Sequence, residues 1–265
     1  MRPVRLVYVY FRLMSQHLKS ILEYQADFLI TLVAALLTQL LGFVFLWVVY
    51  QRIPEINGWS FWEVAFIYAT IFFTEGFSSL FFNGMWHLGT LVNRGGLDRY
   101  LVRPMPAALQ VLTTEFGIGG VGNLVLGGII IFQALQHIQT EWTLSKIVIA
   151  AVLIFSGMVI RVSVIFAACC QVFWTGSSNT SFPHMVHTLS DFAKYPITIY
   201  NLGVQALVTV IVPYAFISFF PASYIIGKAD WAVWGLLSPL VAIYTAAAAL
   251  WIFRTGIRRY ESSGN

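Results

Sequence analysis

Runs of apolar residues, each long enough to cross a lipid bilayer, recur along the chain and are separated by short polar gaps. A membrane-spanning helix needs about 20 mostly apolar residues. Stretches of that length occupy 26–50, 61–82, 107–133, 147–173, 202–225 and 231–253, so the pattern predicts six transmembrane helices. Before the first of them the pattern changes. Leu6, Val9, Tyr10, Leu13, Met14, Leu18 and Ile21 recur at helical spacing, while Arg5, Arg12 and Lys19 recur on another face. This amphipathic stretch predicts an interfacial helix over 1–23. Its scattered cations do not fit a cleavable signal peptide, in which charges precede an uninterrupted apolar region.

Composition agrees with this reading. Hydrophobic types make up 58% of the 265 residues and charged types 10%, against about 25% charged in a soluble domain. A surface so poor in charge needs lipid around it, and the whole of 1–265 reads as one membrane domain. The net charge of +4 comes from cations beside the spans, which suits an anionic membrane surface and not nucleic acid. Cys169 and Cys170 are adjacent within an apolar run and make neither a disulfide framework nor a metal site.

Lysine and arginine set the expected orientation. With the N-terminus in the cytoplasm, the inner side carries Arg2, Arg5, Arg12, Lys19, Arg94, Arg99, Arg103, Lys194, Arg254, Arg258 and Arg259. The outer side carries Arg52, Lys146 and Lys228, and Arg161 falls within a span. Both termini are therefore expected to be cytoplasmic. The polar stretch 175–194, with Gly176, Asn179 and Pro183, reads as a cytoplasmic loop containing a short helix.

Motifs for chemistry are absent from the sequence. There is no G-x-x-x-x-G-K-[ST], no H-E-x-x-H and no C-x-x-C, and the five histidines are scattered. No catalytic, cofactor-binding or metal-ligating residues are expected, and the chain is not read as an enzyme. Gly117, Gly119 and Gly122 fit G-x-G-x-x-G but lie inside an apolar span, where glycine lets helices approach closely. Charges within spans are costly and face a pathway or another helix. Glu75, Glu115 and Arg161 are such charges. Arg161 is expected to pair with Glu75 or Glu115, either as a structural pair or as part of a pathway lining. Pro213 and Pro221 are expected to break the fifth span, leaving 215–227 as an outer element.

The loop 91–106 carries the most information. Gly95 and Gly96 allow a tight turn, 97–102 suits one or two helical turns, and Pro104 and Pro106 end them. On these residues alone, a docking element for a soluble partner and an ordinary loop with topology-fixing arginines both stand. The segment Gly96-Leu97-Asp98-Arg99-Tyr100-Leu101-x-Arg103-Pro104, placed after a second span, resembles permease subunits of ABC-2 type ATP-binding-cassette transporters. Within that type it looks most like the small six-span group often paired with a second permease. The stretch from Val212-Pro213 to Pro221-Ala222 resembles that group's fifth span, and the likeness extends over essentially the whole chain.

The resemblance implies an all-α membrane protein of ABC-2, type V exporter-like architecture in a bacterial inner membrane. It implies a dimer of permeases, with a heterodimer favoured, above two cytoplasmic ATPase subunits that bind the ATP and magnesium. Leu97, Asp98, Arg99, Tyr100 and Arg103 would then contact the ATPase. A secondary transporter or channel without an ATPase is the alternative; it would bring detectable inverted repeats or more intramembrane charge, and neither is evident. The substrate is not legible.

Overall fold

The computed structural model describes residues 25–261. The expected interfacial helix over 1–23 lies outside the described residues. The chain begins with α1 (Gln25–Arg52), followed by a two-stranded hairpin, β1 (Glu55–Ile56) and β2 (Trp59–Ser60), paired antiparallel with Ile56 opposite Trp59. Next come α2 (Phe61–Phe82), a 3-10 turn, α3 (Leu88–Asn93), α4 (Asp98–Leu101) and α5 (Ala107–Leu112). Then follow α6 (Gly119–His137), α7 (Leu144–Cys169), α8 (Val172–Thr175) and α9 (Ser181–Thr188). The chain closes with α10 (Leu202–Ala206), α11 (Phe219–Ile226), α12 (Ala229–Gly235) and α13 (Ser238–Ile257). Five helical stretches are long and apolar enough to cross a membrane, and a bent pair, Leu202–Ile211 with Tyr214–Ile226, is a sixth candidate.

Two opposite ends organise the bundle. One carries the β-hairpin; the other carries α3–α5 and the end of α13, and is rich in arginine. α2 starts directly after Ser60, whose side chain and Glu63 form a reciprocal cap with Glu63 Oε2 accepting from the Ser60 N–H at 2.8 Å. It is the most enclosed helix and packs most extensively on α6. Glycine makes this contact possible. A Cβ on Gly120 would sit 2.5 Å from the Gly76 carbonyl oxygen, and one on Gly76 would sit 2.6 Å from the Leu124 nitrogen. The backbones therefore touch, as small residues permit in membrane helices. Gly120→Leu is expected to separate α2 from α6 and to lower the thermal unfolding midpoint of detergent-purified protein. A Gly128→Ala substitution, which meets only the edge of Phe73 at 4.0 Å, is expected to leave the midpoint near wild type.

The expected third span, 107–133, is not one helix. α5 ends at Leu112, and a membrane-length helix begins only at Gly119. The hydroxyls of Thr113 and Thr114 donate to the carbonyls of Leu109 and Val111, competing with helix continuation. Gly117, Gly119 and Gly120 follow, and the Gly117 N–H donates across to the Ser79 carbonyl at 3.0 Å.

The polar stretch 175–194 also departs from its expected place as a loop on the arginine-rich face. At its start, Gln171 donates to the Asn179 carbonyl, and Ser178 lies against Gly89 beside α3. Further on, His184 stacks on Trp86, and the Lys194 ammonium lies 5.2 Å from the Phe72 ring and 5.9 Å from the Tyr68 ring of α2. At its far end the Thr198 carbonyl accepts from Asn57 of the β-hairpin at 3.1 Å. Residues 178–198 thus run from one end of the bundle to the other as α9 followed by 3-10 turns. Lys194 consequently leaves the set of charges assigned to the arginine-rich face. The segment escaped a hydropathy reading because it is polar, with His187 matched by Arg161 and Lys194 by Asp191 and two aromatic rings.

The chain then turns back. Gln205 donates to the Tyr200 carbonyl near the hairpin, and the backbone bends by 73° between Ile211 and Tyr214, with Pro213 at the bend. It returns through α11 to the hairpin end, where Lys228 Nζ donates to the Gly58 carbonyl at 2.7 Å and pairs with Glu63 at 3.1 Å. The stretch expected to be a fifth span is therefore a re-entrant hairpin with both ends at the hairpin face. Pro213 lies at its tip, and Ile217 just beyond it packs against the middle of α7, where a Cβ on Gly157 would sit 3.0 Å from the Ile217 carbonyl oxygen. Pro221 breaks nothing. It occupies the first turn of α11, where no intrahelical donor is needed.

Candidate functional site

Two constellations stand out: an ionic node in the middle of the bundle and a short helix on its arginine-rich face. Among the described residues no group of three or more His, Cys, Asp or Glu is arranged to hold a metal ion.

The node is built from three elements. Arg161, midway along α7, is only 1% exposed and donates from Nη2 to Glu75 Oε2 of α2 at 3.0 Å. The same nitrogen lies 3.1 Å from His187 Nε2 of α9, so a neutral His187 accepts there. Arg161 thereby ties α2, α7 and the crossing segment together at one depth. The tip of the re-entrant hairpin closes over it, and Tyr214 is fully buried within electrostatic reach of Arg161 and Glu75. Arg161 Nη1 and the Tyr214 hydroxyl are buried with no hydrogen-bond partner among the described residues. A fully buried guanidinium survives because a carboxylate and an imidazole offset its lost hydration.

Of the two partners expected for Arg161, the structure brings in Glu75 and not Glu115. Glu115 lies in the break between α5 and α6, outside any helix, and pairs with His87 at 2.6 Å with both side chains nearly half exposed. Such exposed pairs contribute about 0–1 kcal/mol. Glu115→Gln is therefore expected to leave the unfolding midpoint nearly unchanged, a contrast with Glu75 that one thermal scan checks. His187 was not singled out from the sequence; its spacing from His184 was the only signal it gave.

The surface element is formed by local chain chemistry. Gly95 at φ +67° ends α3 in the left-handed region, and the Leu97 N–H reaches back to the Leu91 carbonyl. The turn delivers α4 with Asp98 in its first turn. Gln110 of α5 then pins the far side, donating to the carbonyls of Tyr100 and Met105 at 3.0 and 2.9 Å. The residues divide sharply. Leu97 is 0% exposed and packs in one cluster with Cys170, Val172, Phe173 and Phe253. Leu97 is thus an anchor of the element, and its assignment as a contact residue is corrected. Arg99, Leu101, Val102 and Arg103 face outward, with Val102 84% exposed and Arg103 over the Tyr100 ring at 5.5 Å. Val102 was missed because an apolar residue in a loop gives no signal until its exposure is known. Asp98 faces Tyr260 beyond the end of α13; burial first, then that carboxylate, raise the Tyr260 phenol above its ordinary value.

Through Leu97 the element is fixed to the ends of α7–α8 and α13. A family model described as ABC-2 family transporter protein matches residues 36–264. No curated protein and no solved structure matches the chain.

Proposed function

The chain belongs to the ABC-2 family of transporter proteins, and from that premise we propose that it is the permease subunit of an ATP-binding-cassette exporter. The permease forms the translocation pathway as a dimer, with a second, different permease favoured as its partner. A pair of cytoplasmic ATPase subunits docks on α4, binds ATP and magnesium, and supplies all catalysis. The membrane is a bacterial inner membrane, with both termini in the cytoplasm.

The observation that carries this reading is the build of α4. Its inward side is fixed by Leu97 to the ends of two membrane helices, α7 with its continuation α8 and α13, while Arg99, Leu101, Val102 and Arg103 form an exposed, mixed apolar and cationic face. That division suits an element that receives a partner and passes its movement inward. Closure of the ATPase pair then shifts the population between two packed arrangements of the bundle. The Arg161–Glu75–His187 node supports the second half of the reading, because it links the helices that must move relative to one another. Purification of the tagged chain from native membranes in mild detergent tests the proposal. An ATPase carrying a nucleotide-binding loop is expected to co-purify in stoichiometric amount; its consistent absence while the protein stays folded would sink the proposal.

A further inference from the structure

Resting on the permease reading, we propose that the exposed side of residues 184–192 faces a water-filled stretch of the pathway, and that Asp191 there binds the cationic group of an organic-cation substrate. The first argument is depth. His187 is level with the Arg161–Glu75 pair, and Lys194 is level with Phe72 and Tyr68 of α2. Asp191 lies between them, about two turns from the hairpin end of the crossing segment and farther from the other. Its side chain is nevertheless 57% exposed, with His184 and Thr188 exposed beside it. A carboxylate held against acyl chains at that depth is costly, and such groups face water or another polar surface.

The second argument is contrast within the same molecule. The outward sides of α1 and α13 present Leu37, Leu41 and Phe45, and Leu240, Ile243 and Trp251. Those are faces that suit lipid. The side of 184–192 is built differently although it spans the same depth.

The third argument is the chemistry offered. Lys194 Nζ holds Asp191 Oδ1 at 2.7 Å, but the ammonium is drawn over the Phe72 and Tyr68 rings and is mostly covered. The outward edge of the pair is therefore the carboxylate. Among the described residues its second oxygen receives no hydrogen bond. Phe192 follows directly, exposed, with its ring set edge-on to Tyr200 at 5.6 Å. An anionic oxygen next to an exposed aromatic residue is the combination that recognises an organic cation. The other nearby carboxylate, Glu75, is turned inward to Arg161 with its side chain only 20% exposed, against 57% for Asp191, and so does not compete.

Two readouts on the full-length protein in lipid nanodiscs test this. Thr188→Cys is expected to react with a water-soluble cationic thiol reagent, and Leu41→Cys and Ile243→Cys are not; both native cysteines are buried, so the native chain is the blank. Tetraphenylphosphonium is expected to bind saturably, and Asp191→Asn to weaken it by about tenfold or more, while Asp230→Asn near the hairpin face has no effect. No reaction at position 188 overturns the pathway assignment and indicates a face covered by lipid or by a second permease. Reaction at 188 with binding absent, or equal in Asp191→Asn, overturns the cation site. Retention of the ATPase by Asp191→Asn distinguishes either failure from failure of the permease reading itself.

Discussion

Glu75→Leu is expected to destabilise the protein by about 3–5 kcal/mol, the cost of leaving one member of a buried ion pair uncompensated. The direction follows from burial. Arg161 is 1% exposed and holds Glu75 at 3.0 Å, so removal of the carboxylate leaves a guanidinium inside the bundle with only His187 as acceptor. Much of the loss is expected to return in Glu75→Leu/Arg161→Leu, because an apolar pair of similar volume carries no desolvation cost. Glu75→Gln keeps a hydrogen-bond acceptor for Arg161 and should fall between. The unfolding midpoints of the four proteins in one detergent settle the order. A double variant no more stable than Glu75→Leu would show that the helices depend on the polar node itself and not merely on charge balance.

The second large effect concerns docking. Val102→Asp with Arg103→Glu reverses both the charge and the apolar character of the outward face of α4. Interface anchors of this kind contribute about 2 kcal/mol or more each, so retention of the ATPase through purification is expected to fall by at least about thirtyfold. The unfolding midpoint should hardly change, since both side chains are exposed. Leu97→Ala is expected to do the reverse. It opens a cavity in the cluster with Val172 and Phe253 and costs about 2–5 kcal/mol, without altering the surface that the ATPase meets. Separation of the two effects distinguishes an anchored lever from a loop that merely carries charges.

Much of this was legible from the residues. α2 has the boundaries that its apolar run implies, because a capping Ser60 precedes it and no breaker interrupts it. The segment around Leu97–Arg103 carried the family, and the buried pairing of Arg161 was open to a charge argument, though not the choice of Glu75 over Glu115. What escaped the sequence has a common cause. Hydropathy measures each residue against lipid, whereas residues 178–198 are measured against one another: His187 against Arg161, Lys194 against Asp191 and two rings. The apolar 202–225 then took the place of the crossing segment, although its tip at Pro213 turns back toward the hairpin. The break before α6 was hidden for a related reason, since Thr113, Thr114 and Gly117 leave mean hydropathy high while their side chains and backbone bond elsewhere.

Photo-crosslinking from position 102 in native membranes tests the docking claim most directly. A photoreactive residue there, at the 84% exposed position that follows α4, is expected to trap one protein, an ATPase with a nucleotide-binding loop, and the adduct should disappear when Arg103→Glu is added. An adduct with lipid alone, or with a protein that binds no nucleotide, would contradict the ATP-driven permease and leave a transporter or channel that works without an ATPase.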